Sequence, residues 1–119
     1  MNFNKAILFH YDWKMKLYTY IQKPDHTLDP AKVEVDNRCD LGVWLHSEGT
    51  KYAGTLQYMD LVVEHAKFHK AAALIIRMVN AGQSVDRDTA LGPWSEYTEL
   101  SHRVVSLILD LKKVVSQGT

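Results

Sequence analysis

Apolar residues recur at intervals of three and four along most of the chain, which is the period of α-helices that bury one face. The first helix is predicted to run from Phe3 to Gln22, because Lys23 and Pro24 end the pattern. Its apolar face holds Ala6, His10, Trp13, Leu17 and Tyr20. Residues 24–30, with a proline at each end, are predicted to form a loop. A shorter second helix is predicted over about residues 35–46.

Two further long helices complete the pattern. The third is predicted from Thr55 to Asn80, and its apolar stripe comprises Leu56, Met59, Val63, Ala66, His69, Ala72, Ile76 and Val79. The fourth is predicted from Asp88 to Ser116, with a break at Gly92-Pro93 that favours a regular helix from Pro93 onward. Its stripe follows a seven-residue repeat through Tyr97, Leu100, Val104, Leu107, Leu111 and Val114. We therefore predict an all-α fold, a four-helix bundle with a short second helix, as a single domain over residues 1–119.

The composition narrows the classes of function. Lys and Arg together number 14, and so do Asp and Glu, so the formal net charge is zero and no basic surface for nucleic acid is expected. No apolar run approaches the roughly 18–20 residues that span a bilayer, so membrane insertion is not expected. The first ten residues do not resemble a signal peptide, and the single cysteine has no internal partner for a disulfide. These features favour a cytoplasmic protein.

Two histidines four residues apart, His65 and His69, are the strongest chemical signal. On a helix they lie about one turn apart on one side, where both imidazoles can reach the same metal ion. His10 lies on the apolar face of the first helix, and Cys39 lies in an apolar run. The inward faces of a bundle converge on one core, so these four residues are predicted to form a tetrahedral zinc site. Such a set leaves no position for water, which favours a structural or sensing zinc and no catalytic activity.

The sequence also offers alternative metal ligands and alternative functions. His26, His46 and His102 are predicted to face solvent, with His46 or His102 as alternative ligands. A zinc hydrolase would need an open coordination position and a general base, but Glu64 points about 100° away from His65 around the helix. A di-iron bundle would need several inward carboxylates, and Asp60 is the one candidate. A purely structural dimerisation module that binds zinc incidentally is the remaining alternative function.

Three ordered motifs resemble the chemoreceptor zinc-binding domain family. His10–Lys14 fits the family's H-x-x-W-K, Cys39–Trp44 fits C-x-x-G-x-W, and His65–His69 fits H-x-x-x-H. A Gly49/Tyr52 pair follows the second motif, as in the family. The resemblance covers about residues 5–115.

The resemblance implies a four-helix bundle, usually a homodimer, that holds zinc through His10, Cys39, His65 and His69. It implies a cytoplasmic sensor of zinc, or of oxidants such as hypochlorous acid that attack the zinc-bound thiolate of Cys39. Its signalling partner would be a chemoreceptor or a diguanylate cyclase. This chain carries neither signalling region, so we expect either a stand-alone member or an excised domain.

Three further residues of the motifs are expected to support the site. Trp13 and Trp44 are predicted to pack around the metal and keep water out. Gly42 is unfavourable inside a helix by roughly 1 kcal/mol relative to alanine, which indicates that another group approaches it closely. It would also make the segment that carries Cys39 easier to remodel.

Overall fold

Three long helices and three short ones form the protein in a computed structural model that describes residues 1–117. In chain order they are α1 (Phe3–Gln22), α2 (Pro30–Glu34), α3 (Asp40–Leu45), α4 (Leu56–Asn80), α5 (Arg87–Leu91) and α6 (Glu96–Gln117). A 3₁₀ turn at Glu48–Tyr52 connects α3 to α4. Residues 1–117 contain no β-strand, so the all-α prediction is confirmed.

Helix α4 lies at the centre of the bundle, because α1, α2, α3 and α6 all pack against it. It begins at the predicted position, where the Thr55 side chain accepts a hydrogen bond from the backbone N–H of Tyr58. Helix α1 has the predicted bounds. The fully buried side chains Leu17, Leu61, Ile76, Val104, Ile108 and Leu111 join the three long helices in one core. The site described below lies where α1 and α3 meet α4.

The predicted second helix is wrong over its first half. A short helix, α2, already begins at Pro30, within what was predicted as the end of the loop, and the chain leaves helical geometry at Val35. The next helix starts only at Asp40. Two short helices, α2 and α3, therefore take the place of the predicted second helix and pack against α4. The reason is local: Cys39 caps α3 with its own side chain, and an N-cap residue cannot lie inside a continuous helix.

The predicted apolar stripe of α4 is wrong in its first half. Leu56, Met59 and Val63 are exposed. The face that meets the bundle instead carries Tyr58, Leu61, His65, Phe68, His69 and Ala72. Both stripes have helical spacing, and only the packing of neighbouring helices selects between them. His65 and His69 both lie on this buried face, where the predicted metal site requires them.

The last predicted helix is divided in two. Helix α5 ends at Leu91, a turn follows, and α6 begins at Glu96, three residues later than Pro93. In α6 the predicted core positions Tyr97, Leu100, Val104 and Leu111 are buried, as are Val105 and Ile108 between them. Among the described helices none is both long and apolar enough to cross a membrane.

Candidate metal centre

Four side chains from three parts of the chain meet beside α4. His10 comes from α1, Cys39 from the residue that precedes α3, and His65 and His69 from α4. One potential ligand atom from each lies within 4.8 Å of those of the other three. His10 and His65 are fully buried, His69 is 5% exposed, and Cys39 is half-buried. The structure thus brings together all four residues that the sequence predicted.

The distances inside this cluster suit a tetrahedral zinc ion. The Nε2 atoms of His65 and His69 lie 3.0 Å apart, and Sγ of Cys39 lies 3.3 Å from the first and 3.6 Å from the second. With Zn–N bonds of about 2.0–2.1 Å and a Zn–S bond of about 2.3 Å, a tetrahedron separates two nitrogens by roughly 3.3 Å and sulfur from nitrogen by roughly 3.6 Å. One thiolate and three imidazoles are also a donor set that zinc favours. The residues present therefore fit the ion.

Backbone carbonyl groups orient two of the imidazoles. Nδ1 of His10 donates a hydrogen bond of 2.7 Å to the carbonyl oxygen of Ala6, and Nδ1 of His69 donates one of 2.8 Å to that of Val33. Because a carbonyl oxygen only accepts, the proton sits on Nδ1 in both rings and Nε2 presents a lone pair to the cluster. This arrangement is common for histidines that bind a metal.

Two buried nitrogen atoms of the cluster lack hydrogen-bond partners. Nε2 of His10 and Nδ1 of His65 have none among residues 1–117. A buried nitrogen without a partner is costly, on the order of 1–3 kcal/mol. For Nε2 of His10, which belongs to the cluster, a metal ion would provide the missing interaction.

Cys39 is placed by the start of α3. Its Sγ accepts a hydrogen bond of 3.4 Å from the backbone N–H of Gly42, so the side chain caps the helix from just outside it. The backbone of Asp36 and Asn37 folds directly onto Gly42. A Cβ atom on residue 42 would lie 1.6 Å from the carbonyl oxygen of Asp36, so no side chain fits there. The predicted close approach at Gly42 is confirmed.

Burial keeps all three imidazoles of the cluster neutral at ordinary pH. It lowers the pKa of His10 to about 4, against the opposing effect of the hydrogen bond that His10 donates to the carbonyl oxygen of Ala6. The pKa of His65 falls to about 2, because burial is reinforced by the neighbouring His69 and His10. The pKa of His69 is lowered by burial as well, and burial raises the pKa of the Cys39 thiol. A neutral imidazole is the form that binds a metal.

The two tryptophans of the motifs lie in different surroundings. The Trp44 ring meets Phe3 edge-on at 5.3 Å and stacks on Tyr52 at 6.1 Å. Gly49 lies against the same ring, since a Cβ there would approach it to 2.8 Å. Trp13 is half-buried and lies under the ammonium group of Lys16, 4.9 Å from the ring centre. The exclusion of water by Trp13 and Trp44 stays a prediction.

The residues considered as alternative ligands lie elsewhere. His26, His46 and His102 are exposed, as predicted, and Nε2 of His46 lies 3.5 Å from a carboxylate oxygen of Asp36. Asp60 is exposed too, so no carboxylate faces the cluster from that position. Oε1 of Glu64 lies 3.6 Å from the charged groups of both Lys67 and Arg103. Over residues 1–117, the cluster built from His10 is the one group of three or more such donors that could hold a metal ion.

Sequence reasoning missed the backbone groups that support the site. The carbonyl of Val33 belongs to α2, which was predicted as neither a helix nor a neighbour of His69. Every residue carries a carbonyl group, so no sequence signal marks the one that accepts this hydrogen bond.

The motif residues and this geometry agree with a comparison against known protein families. The family model described as the chemoreceptor zinc-binding domain matches residues 10–76, which is more than half of the 119 residues and includes all four clustered side chains. The chain belongs to this family. A chemoreceptor zinc-binding domain binds zinc, and His10, Cys39, His65 and His69 are its possible ligands here. No curated protein and no solved structure matches the chain.

Proposed function

We propose that this chemoreceptor zinc-binding domain is a cytoplasmic sensor that holds one zinc ion through His10, Cys39, His65 and His69. The observation that carries the proposal is the cluster itself, with one ligand atom from each residue within 4.8 Å of the others. Four protein ligands complete a tetrahedron, so the site has no position for a reactive water. This supports a sensing role over that of a zinc hydrolase.

The thiol of Cys39 is the part of the site suited to detect an oxidant. Zinc, when bound, keeps this sulfur as a thiolate, which is the form that oxidants attack. Cys39 is half-buried, whereas His10 and His65 are fully buried, so a reagent in solution meets the sulfur first. Hypochlorous acid would convert the thiolate to sulfenic acid and release chloride.

The signal would be a movement of the segment around Cys39. His65 and His69 share the 25-residue α4, and His10 belongs to the 20-residue α1, whereas Cys39 precedes the six-residue α3. Oxidation of the sulfur would therefore release the short segment while the long helices stay in place. The backbone of Asp36 and Asn37 packs closely on Gly42. Movement of residues 36–39 would separate these backbone groups and expose the surface between them.

The proposed output is passed on by a homodimer to a chemoreceptor or diguanylate cyclase signalling region. Support for a second copy comes from α1, whose outer side carries Leu8, Tyr11, Met15 and Tyr18, each at least 37% exposed. Their spacing of three and four residues is that of the contact stripe between two paired helices. The seven-residue stripe of α6 is less suited to this role, because Tyr97, Leu100, Val104 and Leu111 are buried within the chain.

The first experiment measures the metal content of the purified protein by elemental analysis. We expect about one zinc ion per chain, a loss of most of it in His65→Ala, and weaker retention against a chelator in Cys39→Ala. His102→Ala is the matched control, because His102 is exposed on α6. Absence of zinc, or retention of zinc by His65→Ala, would contradict the proposed ligand set.

The second experiment tests the response to oxidant. Zinc-loaded protein is treated with hypochlorous acid, and sulfenic acid at Cys39 is trapped with dimedone and located by mass spectrometry. Cys39→Ala should resemble the oxidised protein in helicity and in oligomeric state. Binding of zinc without any change on oxidation would favour a structural dimerisation module.

A further inference from the structure

A cavity of about 420 Å³ opens beside the metal cluster. It lies between the start of α1 and residues 38–41, and His10 and Cys39 are the two clustered residues in its wall. Ala6, Phe9 and Leu41 supply apolar surface. Its volume falls within the range of about 300–1,000 Å³ that is usual for small-molecule sites. The cavity thus gives a small molecule access to the half-buried sulfur.

Charged groups of both signs surround this cavity. Lys5 and Arg38 are the cationic side chains in its wall, and Asp12 and Asp40 are the carboxylates. All four are exposed, and none forms a salt bridge with another residue of the described chain. They are free to pair with a ligand that itself carries both carboxylate and ammonium groups.

The number of cysteines bears on how an oxidised Cys39 is reduced. Cys39 is the only cysteine of the chain, so a sulfenic acid formed there has no second thiol in the same chain with which to form a disulfide. A thiol that enters from solution can reduce it. The cavity lined by Cys39 is a place where such a thiol could enter.

We propose that the cavity binds a small zwitterionic thiol, a compound with carboxylate, ammonium and thiol groups, and that this thiol forms a mixed disulfide with oxidised Cys39. Lys5 and Arg38 would bind its carboxylates, and Asp12 and Asp40 its ammonium group. The inference rests on the redox function proposed above, and it assigns to the same site a class of ligand and a route back to the reduced state.

The chemical steps balance with hypochlorous acid as the oxidant. The Cys39 thiolate is oxidised by two electrons to sulfenic acid, and the oxidant is reduced to chloride. The sulfur of the ligand then attacks Sγ of Cys39, an S–S bond forms and the S–O bond breaks. The hydroxide that leaves takes up the proton of the ligand thiol and departs as water. A second thiol attacks the sulfur of the bound ligand, which releases the disulfide of the ligand and restores the Cys39 thiol.

The test compares a charged with an uncharged thiol on the intact, zinc-loaded protein. After one equivalent of hypochlorous acid, glutathione or 2-mercaptoethanol is added, and the mixed disulfide at Cys39 is followed by intact mass. The ratio of the two rates is measured for the natural protein and for Arg38→Glu. Lys23→Glu is the matched control, because Lys23 lies at the far end of α1 from the cavity.

We expect Arg38→Glu to lower the glutathione rate by at least about threefold, as for the loss of an exposed ion pair, and to leave the 2-mercaptoethanol rate unchanged. Lys23→Glu should behave as the natural protein. An Arg38→Glu variant that keeps the original ratio of rates would overturn the proposal. So would a natural protein on which dimedone labels sulfenic acid at Cys39 but no mixed disulfide forms.

Labelling with dimedone distinguishes failure of the proposed redox function from failure of the cavity to bind the thiol. If dimedone labels no sulfenic acid, the oxidant response fails, and binding in the cavity is measured by exchange of unoxidised Cys39 with glutathione disulfide. The rate of this exchange is compared between the natural protein, Arg38→Glu and Lys23→Glu. A rate that falls at least about threefold in Arg38→Glu supports the binding site, and an unchanged rate overturns it.

Discussion

The carbonyl oxygen of Val33 lies 2.8 Å from Nδ1 of His69 and fixes the orientation of that imidazole. Val33 belongs to a five-residue helix that is 36 positions away in the chain and packs on α4. The short helix also holds α4 through Glu34, which forms a salt bridge of 2.9 Å with Arg77. The site is therefore completed by a small element that contributes no side chain to the cluster. Such contacts make the metal site sensitive to changes outside it.

A methyl group at position 42 should damage the site. In Gly42→Ala the new Cβ would fall 1.6 Å from the carbonyl oxygen of Asp36, so the backbone before Cys39 has to move. We expect a loss of about 1–3 kcal/mol in the free energy of unfolding and weaker zinc retention, measured by thermal denaturation and competition with a chelator.

Gly54→Ala is the control for this substitution, since a Cβ there meets no atom within 4 Å. Its free energy of unfolding should change by no more than about 0.5 kcal/mol. Equal stability of the two variants would show that the contact at Asp36 is not rigid.

The stability of the metal-free protein should depend on pH through its buried histidines. The folded-state pKa of His10 is lowered to about 4, so the unfolded chain binds more protons between that value and about 6.5. The stabilising contribution is complete above about pH 6.5 and is lost as the pH falls toward 4, with a slope of up to about 1.4 kcal/mol per pH unit for this group. His65 and His69 act in the same direction.

Urea denaturation of chelated protein at a series of pH values measures this slope. His10→Gln should reduce it, whereas His102→Gln, at an exposed position, should leave it unchanged. Stability that is flat from pH 7 to pH 5 would contradict the assignment.

A charge on the outer side of α1 should weaken the proposed homodimer. Met15 is 64% exposed and lies between Tyr11 and Tyr18 on the apolar stripe. In Met15→Glu a carboxylate would be buried in the helix pair without a partner, so we expect a monomer in sedimentation analysis at concentrations where the natural protein is a dimer.

Leu109→Glu is the matched control for the dimer, because Leu109 is also exposed, at 44%, but belongs to α6. It should leave the oligomeric state unchanged. Dimers formed by Met15→Glu would place the contact on another surface.

Removal of a buried hydroxyl group should stabilise the core. The Tyr97 hydroxyl is buried without a hydrogen-bond partner among residues 1–117, and burial raises its pKa. Tyr97→Phe keeps the ring contact with Phe68 at 5.2 Å and removes the unsatisfied group, so we expect unfolding to cost up to about 1 kcal/mol more.

Tyr20→Phe is the opposite case, because the Tyr20 hydroxyl donates a hydrogen bond to Asn80. That variant should lose about 1 kcal/mol in thermal or urea denaturation. A Tyr97→Phe variant that loses as much as Tyr20→Phe would indicate an unidentified partner for the Tyr97 hydroxyl.

The sequence by itself determined the bounds of α1 and α4 and the identity of the clustered residues. Helical periodicity, ended by Lys23 and Pro24, predicted the bounds of α1, and it placed the start of α4 at Thr55, the residue that caps this helix in the structure. His65 and His69 were recognised because a spacing of four residues on a helix is a local property. The motifs then connected His10 and Cys39 to the same site.

Only the tertiary structure decided how the chain between those helices is arranged and which stripe of α4 faces the core. Leu56 and Leu61 both fit a helical stripe, and the choice between them depends on which side α1 and α6 occupy. The orientation of His69 depends on the carbonyl of Val33. This contact joins residues 36 positions apart and uses a backbone group that every residue carries, so no local pattern encodes it.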